Sequence, residues 1–286
     1  MRLSHTMTLL NLSALPYIVY TKNNKLLKFR LWLNGFALIH QLVMAIKLLS
    51  INFRDADDPK LWPYQQYKWK FITAWFNILI LGYLPISIYC DWRELNGKTD
   101  ERHVKVLNQV RFICFTSMIL PTTAFSDILF WRLWNKNREL VVPAFVDTLV
   151  PLWAQHCMHT ASLIFVILDL VLVPRRRPDN LILGLVPMFI FIGSYAIMLL
   201  NCVYNEEYIY PVLKLLSPFK LFLLAMFTFL ENCFYYTCQW FIIDMIWDKH
   251  NNVKPIKSHE TLSESINPVA KKHYTRRQIS RLSYGA

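Results

Sequence analysis

Glycine is scarce in this chain, at 6 of 286 residues. That excludes collagen-like sequence and glycine-rich low-complexity repeats. Charge is thin as well: 17 % of residues are charged, against about 25 % in soluble domains. The six cysteines contain no CxxC pair, which argues against a disulfide-stapled scaffold, a redox motif and a structural zinc site. There is no GxSxG elbow, so a serine α/β-hydrolase is out. Neither GxGxxG nor a phosphate loop is present. What the chain has in abundance is apolar surface. It is 55 % hydrophobic with a mean hydropathy of +0.27, the balance of an integral membrane protein. Its net charge is +12. The basic residues fall between and after the apolar stretches, not as a stripe on a soluble face. They read as topology signals and not as a nucleic-acid surface.

Six apolar stretches stand out: Leu31–Ser50, Phe71–Cys90, Phe112–Trp131, Val150–Val173, Leu181–Val203 and Phe219–Ile243. Each is long enough for a helix to cross about 30 Å of hydrocarbon. None alternates in polarity as a barrel strand does, and helices satisfy their own backbone in lipid. The expected fold is therefore all-α, a polytopic bundle of six transmembrane helices. It divides into an N-terminal extension (1–30), a membrane domain (31–248) and a basic, disordered tail (249–286). Met7–Tyr20 is too short to span and, with its basic flank, reads as an interfacial segment. Asn11 opens a glycosylation sequon by spelling only. Lys271–Arg277 suits an anionic leaflet. Counting Lys and Arg, twenty fall on the side shared by both termini and nine on the other. The termini are thus expected in the cytosol, in the endomembrane system (endoplasmic reticulum) or the plasma membrane.

Polar groups inside a span are costly and are functional candidates by default. Span four is the richest, with Gln155, His156, His159 and Thr160. His156 and His159 stand at i and i+3, on one helix face. Such a pair serves as metal ligands, as a base with a supporting donor, or as interhelical hydrogen bonds that hold the bundle. A metal would need further ligands, such as Asp127, Glu231 or His40 from other helices. Most Ser and Thr in such helices bond their own i−4 carbonyl; for Thr73 that would be Trp69. Composition does not choose among the hydroxyls. Two segments, Arg138–Pro151 and Tyr204–Pro218, carry paired prolines and are expected to lie along the interface as short helices roofing a pocket.

Three blocks carry a resemblance to a known family. One is Trp69-Lys70-Phe71-Ile72-Thr73. The second runs from Arg138-Glu139 through Pro143, Asp147, Pro151 and Trp153 to His156-Cys157-Met158-His159-Thr160. The third is Tyr208-Ile209-Tyr210-Pro211, with Ile246-Trp247-Asp248. Together they resemble the family of the androgen-induced-gene protein and the androgen-dependent TFPI-regulating protein, over roughly residues 31 to 250. The resemblance implies a threonine hydrolase of fatty-acid esters of hydroxy fatty acids. By motif, Thr73 is the nucleophile and His159 the base. Gln155-His156-Cys157 stands where the family has Asn-His-Gly, and Val142 where a tyrosine is usual. His156, Gln155 or Asn77 would supply an oxyanion donor, and Asp127 or Glu231 an acidic partner for His159. No metal and no cofactor is expected; the partner is a lipid ester. The rival reading is a non-enzymatic membrane protein, a transporter or regulatory partner, and a zinc-dependent lipid hydrolase is the other. One geometric demand follows. With spans drawn from Phe71 and Val150, Thr73 and His159 differ in depth by about 10 Å. They meet only if span two starts earlier or span four later.

Overall fold

The computed structural model describes residues 18–21 and 23–251, with side chains as far as Trp247. Asn11 and Lys271–Arg277 lie outside them. Contacts divide the chain into Met1–Trp247 and Asp248–Ala286; of the second, only the end of the last helix is described. The described residues are helical, apart from turns, loops and a single isolated bridge between Ile18 and Arg175.

Among the described residues six helical stretches are long and apolar enough to cross a membrane. The first is α1 (Asn24–Ser50), which begins seven residues before the apolar stretch does. Asn23 caps it, its Oδ1 accepting from the amides of Lys25 (3.1 Å) and Leu26 (3.2 Å), which satisfies two otherwise orphaned donors. Its buried face, Leu27, Arg30, Leu33, Asn34, Ala37, Gln41 and Met44, recurs every three to four residues. Trp32, Phe36, Ile39 and Ile46 point outward, as lipid-facing positions do. A short helix, α2 (Tyr64–Tyr67), follows in a loop and leads into α3 (Ile72–Leu95). Next, α4 (Arg102–Ile113) runs through a wide π-type turn, Cys114–Ile119, into α5 (Leu120–Asn137). Pro121 explains the turn: it has no N–H, and its ring displaces the carbonyl four residues back. This rod is the most enclosed of the six. It carries five buried hydroxyls, Thr116, Ser117, Thr122, Thr123 and Ser126.

The fourth span is α6 (Leu152–His156), a second π-type turn (Cys157–Ala161) and α7 (Ser162–Leu172). The last two are α8 (Ile182–Tyr204) and α9 (Pro218–Asn251). α1 packs on α3, α3 on α4 and α5, α5 on α7, and α8 on the first π turn. Phe76, Ile80, Phe115, Ile119, Met188, Tyr236 and Trp240 fill the centre. At one point two helices touch through a bare backbone. A Cβ on Gly184 would fall 2.1 Å from the Tyr236 hydroxyl, which is tied to the Leu181 carbonyl at 2.9 Å.

One end of the bundle is ionic inside. Asp91, at the end of α3, accepts from Arg30 of α1 (Nε at 3.1 Å) and from Arg111 of α4 (Nη1 at 2.7 Å). All three are fully buried. Beside them Arg175 pairs with Asp169, and the Tyr83 hydroxyl reaches Asp169 at 2.8 Å. Paired charges of this kind extend the helices beyond their apolar stretches. The other end, about 27 Å away along α3 at 1.5 Å per residue, holds two apolar cavities.

Candidate active site

Thr73 is the second residue of α3. The helix starts there because the preceding loop has ended in a tight turn, with the Phe71 amide on the Tyr67 carbonyl at 3.2 Å. Three bonds then arrange the first turn. The Ile72 N–H donates to the Tyr210 hydroxyl (3.2 Å). The Trp75 indole N–H donates to the Trp69 carbonyl (3.2 Å). Asn77 Nδ2 donates to the carbonyl of Thr73 itself (2.9 Å). The i−4 carbonyl expected to take up the Thr73 hydroxyl is thus engaged by an indole. Thr73 Oγ1 makes no hydrogen bond among the described residues. Thr116, Ser194, Thr228 and Thr237 do bond their i−4 carbonyls, at 2.7–2.9 Å.

His159 sits in the second π turn and is buried. Such turns shift the facing of side chains and recur at functional sites. The imidazole Nδ1 lies 2.9 Å from Asp127 Oδ1 of α5. Its ring is stacked on Phe130 at 3.7 Å and 8°. Asp127 Oδ2 accepts from the Ser162 hydroxyl at 2.7 Å. With an ionised carboxylate on Nδ1, that nitrogen carries the proton and Nε2 is left as the acceptor.

Thr73 and His159 line the same two cavities. The first, about 250 Å³, lies under the segments Phe53–Phe71 and Val141–Val150. The second, about 170 Å³, runs between α5, α8 and α9. Phe130, Val141 and Tyr210 also border both. Counted from the starts of α3 and α6, Ile72 and Leu152, Thr73 and His159 still differ by six residues, about 9 Å. α6 starts at Leu152, and Ala154 packs with Phe53, Leu61 and Tyr64 in the roof, beyond the start of α3. Phe71, Cys157 and Met158 flank that same cluster, and Thr73 and His159 both border the two cavities.

The other expected site residues separate. Gln155 is buried and lines the first cavity, as does Asn77. Asn77 Oδ1 is buried without a partner. His156 borders neither cavity. It is exposed, stacked on Trp131 at 4.6 Å, with Nδ1 3.1 Å from Thr160 Oγ1. The two histidines therefore do not converge, contrary to the shared face expected from their spacing. Among the described residues no three His, Cys, Asp or Glu side chains group as metal ligands do. Asp127 is the acidic residue on His159. Glu231 is not: it lies half-buried beside Tyr235 and Arg132 on another face of α9. His40 packs on the edge of Phe165 at 5.7 Å.

The site also holds groups that sequence reasoning did not single out. Tyr210 OH lies 3.2 Å from Tyr195 OH. Burial pushes the Tyr210 phenol above its ordinary value, so it stays a protonated donor. The Tyr-Ile-Tyr-Pro block was visible in the sequence, but nothing local in it points to a cavity. Arg138 pairs with Asp147 through both guanidinium ends, at 2.8 and 2.6 Å, and so closes the roof segment on itself. Short 3₁₀ turns at Arg138–Leu140, Ala144–Thr148 and Pro211–Leu215 form the segments that border the cavities.

Fold and cavities define a polytopic helical membrane protein with two apolar cavities and a polar centre that borders both. The chain belongs to the FAR-17a/AIG1-like protein family, whose pattern matches residues 36–242. It is 32 % identical over 141 residues to the mouse androgen-dependent TFPI-regulating protein, covering 49 % of this chain and 61 % of that one. Against the human androgen-dependent TFPI-regulating protein the figures are 30 % over 113 residues, 40 % and 48 %. Against the human androgen-induced gene 1 protein they are 24 % over 202 residues, 68 % and 84 %. The chain thus spans about half to two thirds of the androgen-dependent relatives. No solved structure matches it.

Proposed function

We propose that this protein hydrolyses lipid esters within the membrane, with fatty-acid esters of hydroxy fatty acids as substrates. One observation supports this above the others. An unengaged threonine hydroxyl and a buried histidine held by a carboxylate border the same two apolar cavities. A lone hydroxyl is a poor nucleophile, and an adjacent base oriented by a third group is what activates it. Two cavities meeting at that point suit an ester whose two chains diverge from one carbonyl.

In this reading Nε2 of His159 takes the Thr73 proton as Oγ1 attacks the ester carbonyl. Charge develops on the former carbonyl oxygen and needs donors. Tyr195 and Tyr210 provide one. Their two hydroxyls share a single bond and accept the Ile72 N–H, so one hydroxyl proton remains for a ligand. The Thr73 N–H, without a partner among the described residues, and the amides of Asn77 and Gln155 are the others. The carbon–oxygen bond to the hydroxy acid then breaks, and His159 returns its proton to that oxygen. Water, deprotonated by His159, attacks the acyl–Thr73 carbonyl; the bond to Oγ1 breaks, His159 returns the proton to Oγ1, and the fatty acid is freed. His156, facing away, has no part in these steps.

The setting proposed is an endomembrane or plasma-membrane bundle with both termini in the cytosol, on the strength of the Lys and Arg bias. Protease protection of a C-terminal tag checks it; a lumenal tag contradicts it. For the activity, purified full-length protein is incubated with the oleoyl ester of 9-hydroxystearic acid. Release of both acids by wild type and not by Thr73→Ala supports the proposal. Equal release by both proteins, or hydrolysis abolished only by a chelator, contradicts it.

A further inference from the structure

The first cavity is apolar except for a few uncharged polar groups and one permanent charge. That charge is Lys68, on the turn between α2 and α3. Among the described residues no Asp or Glu borders the cavity. The ammonium has three donors, and one is accounted for: Nζ donates to the Ile51 carbonyl at the end of α1, at 3.2 Å. The neighbouring cations are neutralised. Lys70 is paired with Glu207 and Arg138 with Asp147; Lys68 has no carboxylate partner among the described residues. Capping α1 explains one of its protons and leaves two at the edge of a chamber built for hydrocarbon.

We infer that Lys68 is the binding site for the anionic head of the substrate, a carboxylate carried by the limb that occupies the first cavity. This rests on the hydrolase reading and adds a direction to it. Lys68 precedes the membrane-spanning part of α3, where a charged head of an amphiphile resides, while Thr73 lies one turn further in. The hydroxy-acid limb, the one that bears a free carboxylate, fills the first cavity. The acyl limb fills the second, which no Asp, Glu, Lys or Arg borders among the described residues. The acyl chain on Thr73 then stays in the second cavity while the hydroxy acid leaves past Lys68. A phospholipid phosphate offers similar chemistry from the surrounding leaflet. The substrate carboxylate is favoured because Lys68 borders the chamber that holds Thr73.

The test compares the oleoyl ester of 9-hydroxystearic acid with its methyl ester, which keeps both chains and loses the charge. Full-length wild type, Lys68→Met and Lys68→Arg are measured in nanodiscs of phosphatidylcholine. Wild type is expected to have a KM for the acid roughly ten- to hundredfold below that for the methyl ester, the range of a hydrogen bond to a charged group. Lys68→Met erases the difference and still cleaves the methyl ester; Lys68→Arg retains it. A parallel binding arm, displacement of a fluorescent fatty acid by oleate against methyl oleate, is read on Thr73→Ala with and without Lys68→Met. If no protein hydrolyses either ester, the hydrolase reading fails, and the binding arm still decides on Lys68. An acid preference that survives in Lys68→Met overturns the inference. So does a Lys68-dependent response to added phosphatidylserine with no acid preference, which would make the residue a headgroup anchor.

Discussion

Replacing Asp127 by asparagine probes the centre of the site with little change of shape. Asp127 Oδ1 lies 2.9 Å from His159 Nδ1, whose proton it accepts when ionised, and Oδ2 accepts from Ser162 at 2.7 Å. An asparagine keeps the volume but presents an amide donor to His159. If that donor faces Nδ1, the ring proton moves to Nε2 and the base is lost. In a Ser–His–Asp triad the equivalent change lowers kcat about 10⁴-fold. Part of the population here can turn the amide oxygen to His159, so a loss of about 10³–10⁴ in kcat is expected, with KM within about threefold. Asp127→Ala allows either tautomer and should lose less than Asp127→Asn. The assay is initial-rate hydrolysis of the oleoyl hydroxystearate ester, with near-ultraviolet circular dichroism as a check on packing. A well-packed Asp127→Asn protein with wild-type kcat would refute His159 as the base.

Three further predictions concern other parts of the molecule. Tyr210→Phe removes the hydroxyl that accepts from Ile72 and pairs with Tyr195; kcat should fall about 10²–10³-fold with little change in KM, measured by steady-state kinetics, while Ser126→Ala, in the wall of the second cavity, leaves kcat unchanged. Asp91→Asn strips the shared carboxylate from the buried Arg30 and Arg111 and should destabilise the fold by about 3–5 kcal/mol, read by SDS-titration unfolding. Gly184→Ala sets a methyl against the tethered Tyr236 hydroxyl and should lower stability by about 1–3 kcal/mol without altering KM.

The spans were legible because a crossing helix demands about 20 apolar residues, and each stretch has them. Their true ends were not. α1 begins at Asn24 and the third span at Arg102, because Arg30 and Arg111 meet Asp91 inside the bundle. Read along the chain, Arg30 and Asp91 are flanking charges; only the tertiary partner makes them interior. At the site, Thr73 and His159 were picked out by resemblance and not by spacing. The HxxH pair was misleading for a physical reason: the widened turn at Cys157–Ala161 sends His156 to Trp131 and His159 to Phe130. Asp127 was a candidate among several, and 32 residues of sequence separate it from its partner. Lys68 gave no signal, since a lysine at a span edge is common, and Tyr210 entered only as part of the Tyr208-Ile209-Tyr210-Pro211 block of the resemblance, with no role attached.

The central claim is that Thr73 carries the acyl group. Brief incubation of the full-length protein with the oleoyl hydroxystearate ester, followed by acid quench, proteolysis and mass spectrometry of the peptide containing Thr73, measures it directly. The expected result is an oleoyl adduct on Thr73 that accumulates within the first turnover, decays on chase and is absent from His159→Ala. Turnover with no adduct on Thr73, or with an adduct on another residue such as Ser126, contradicts the claim.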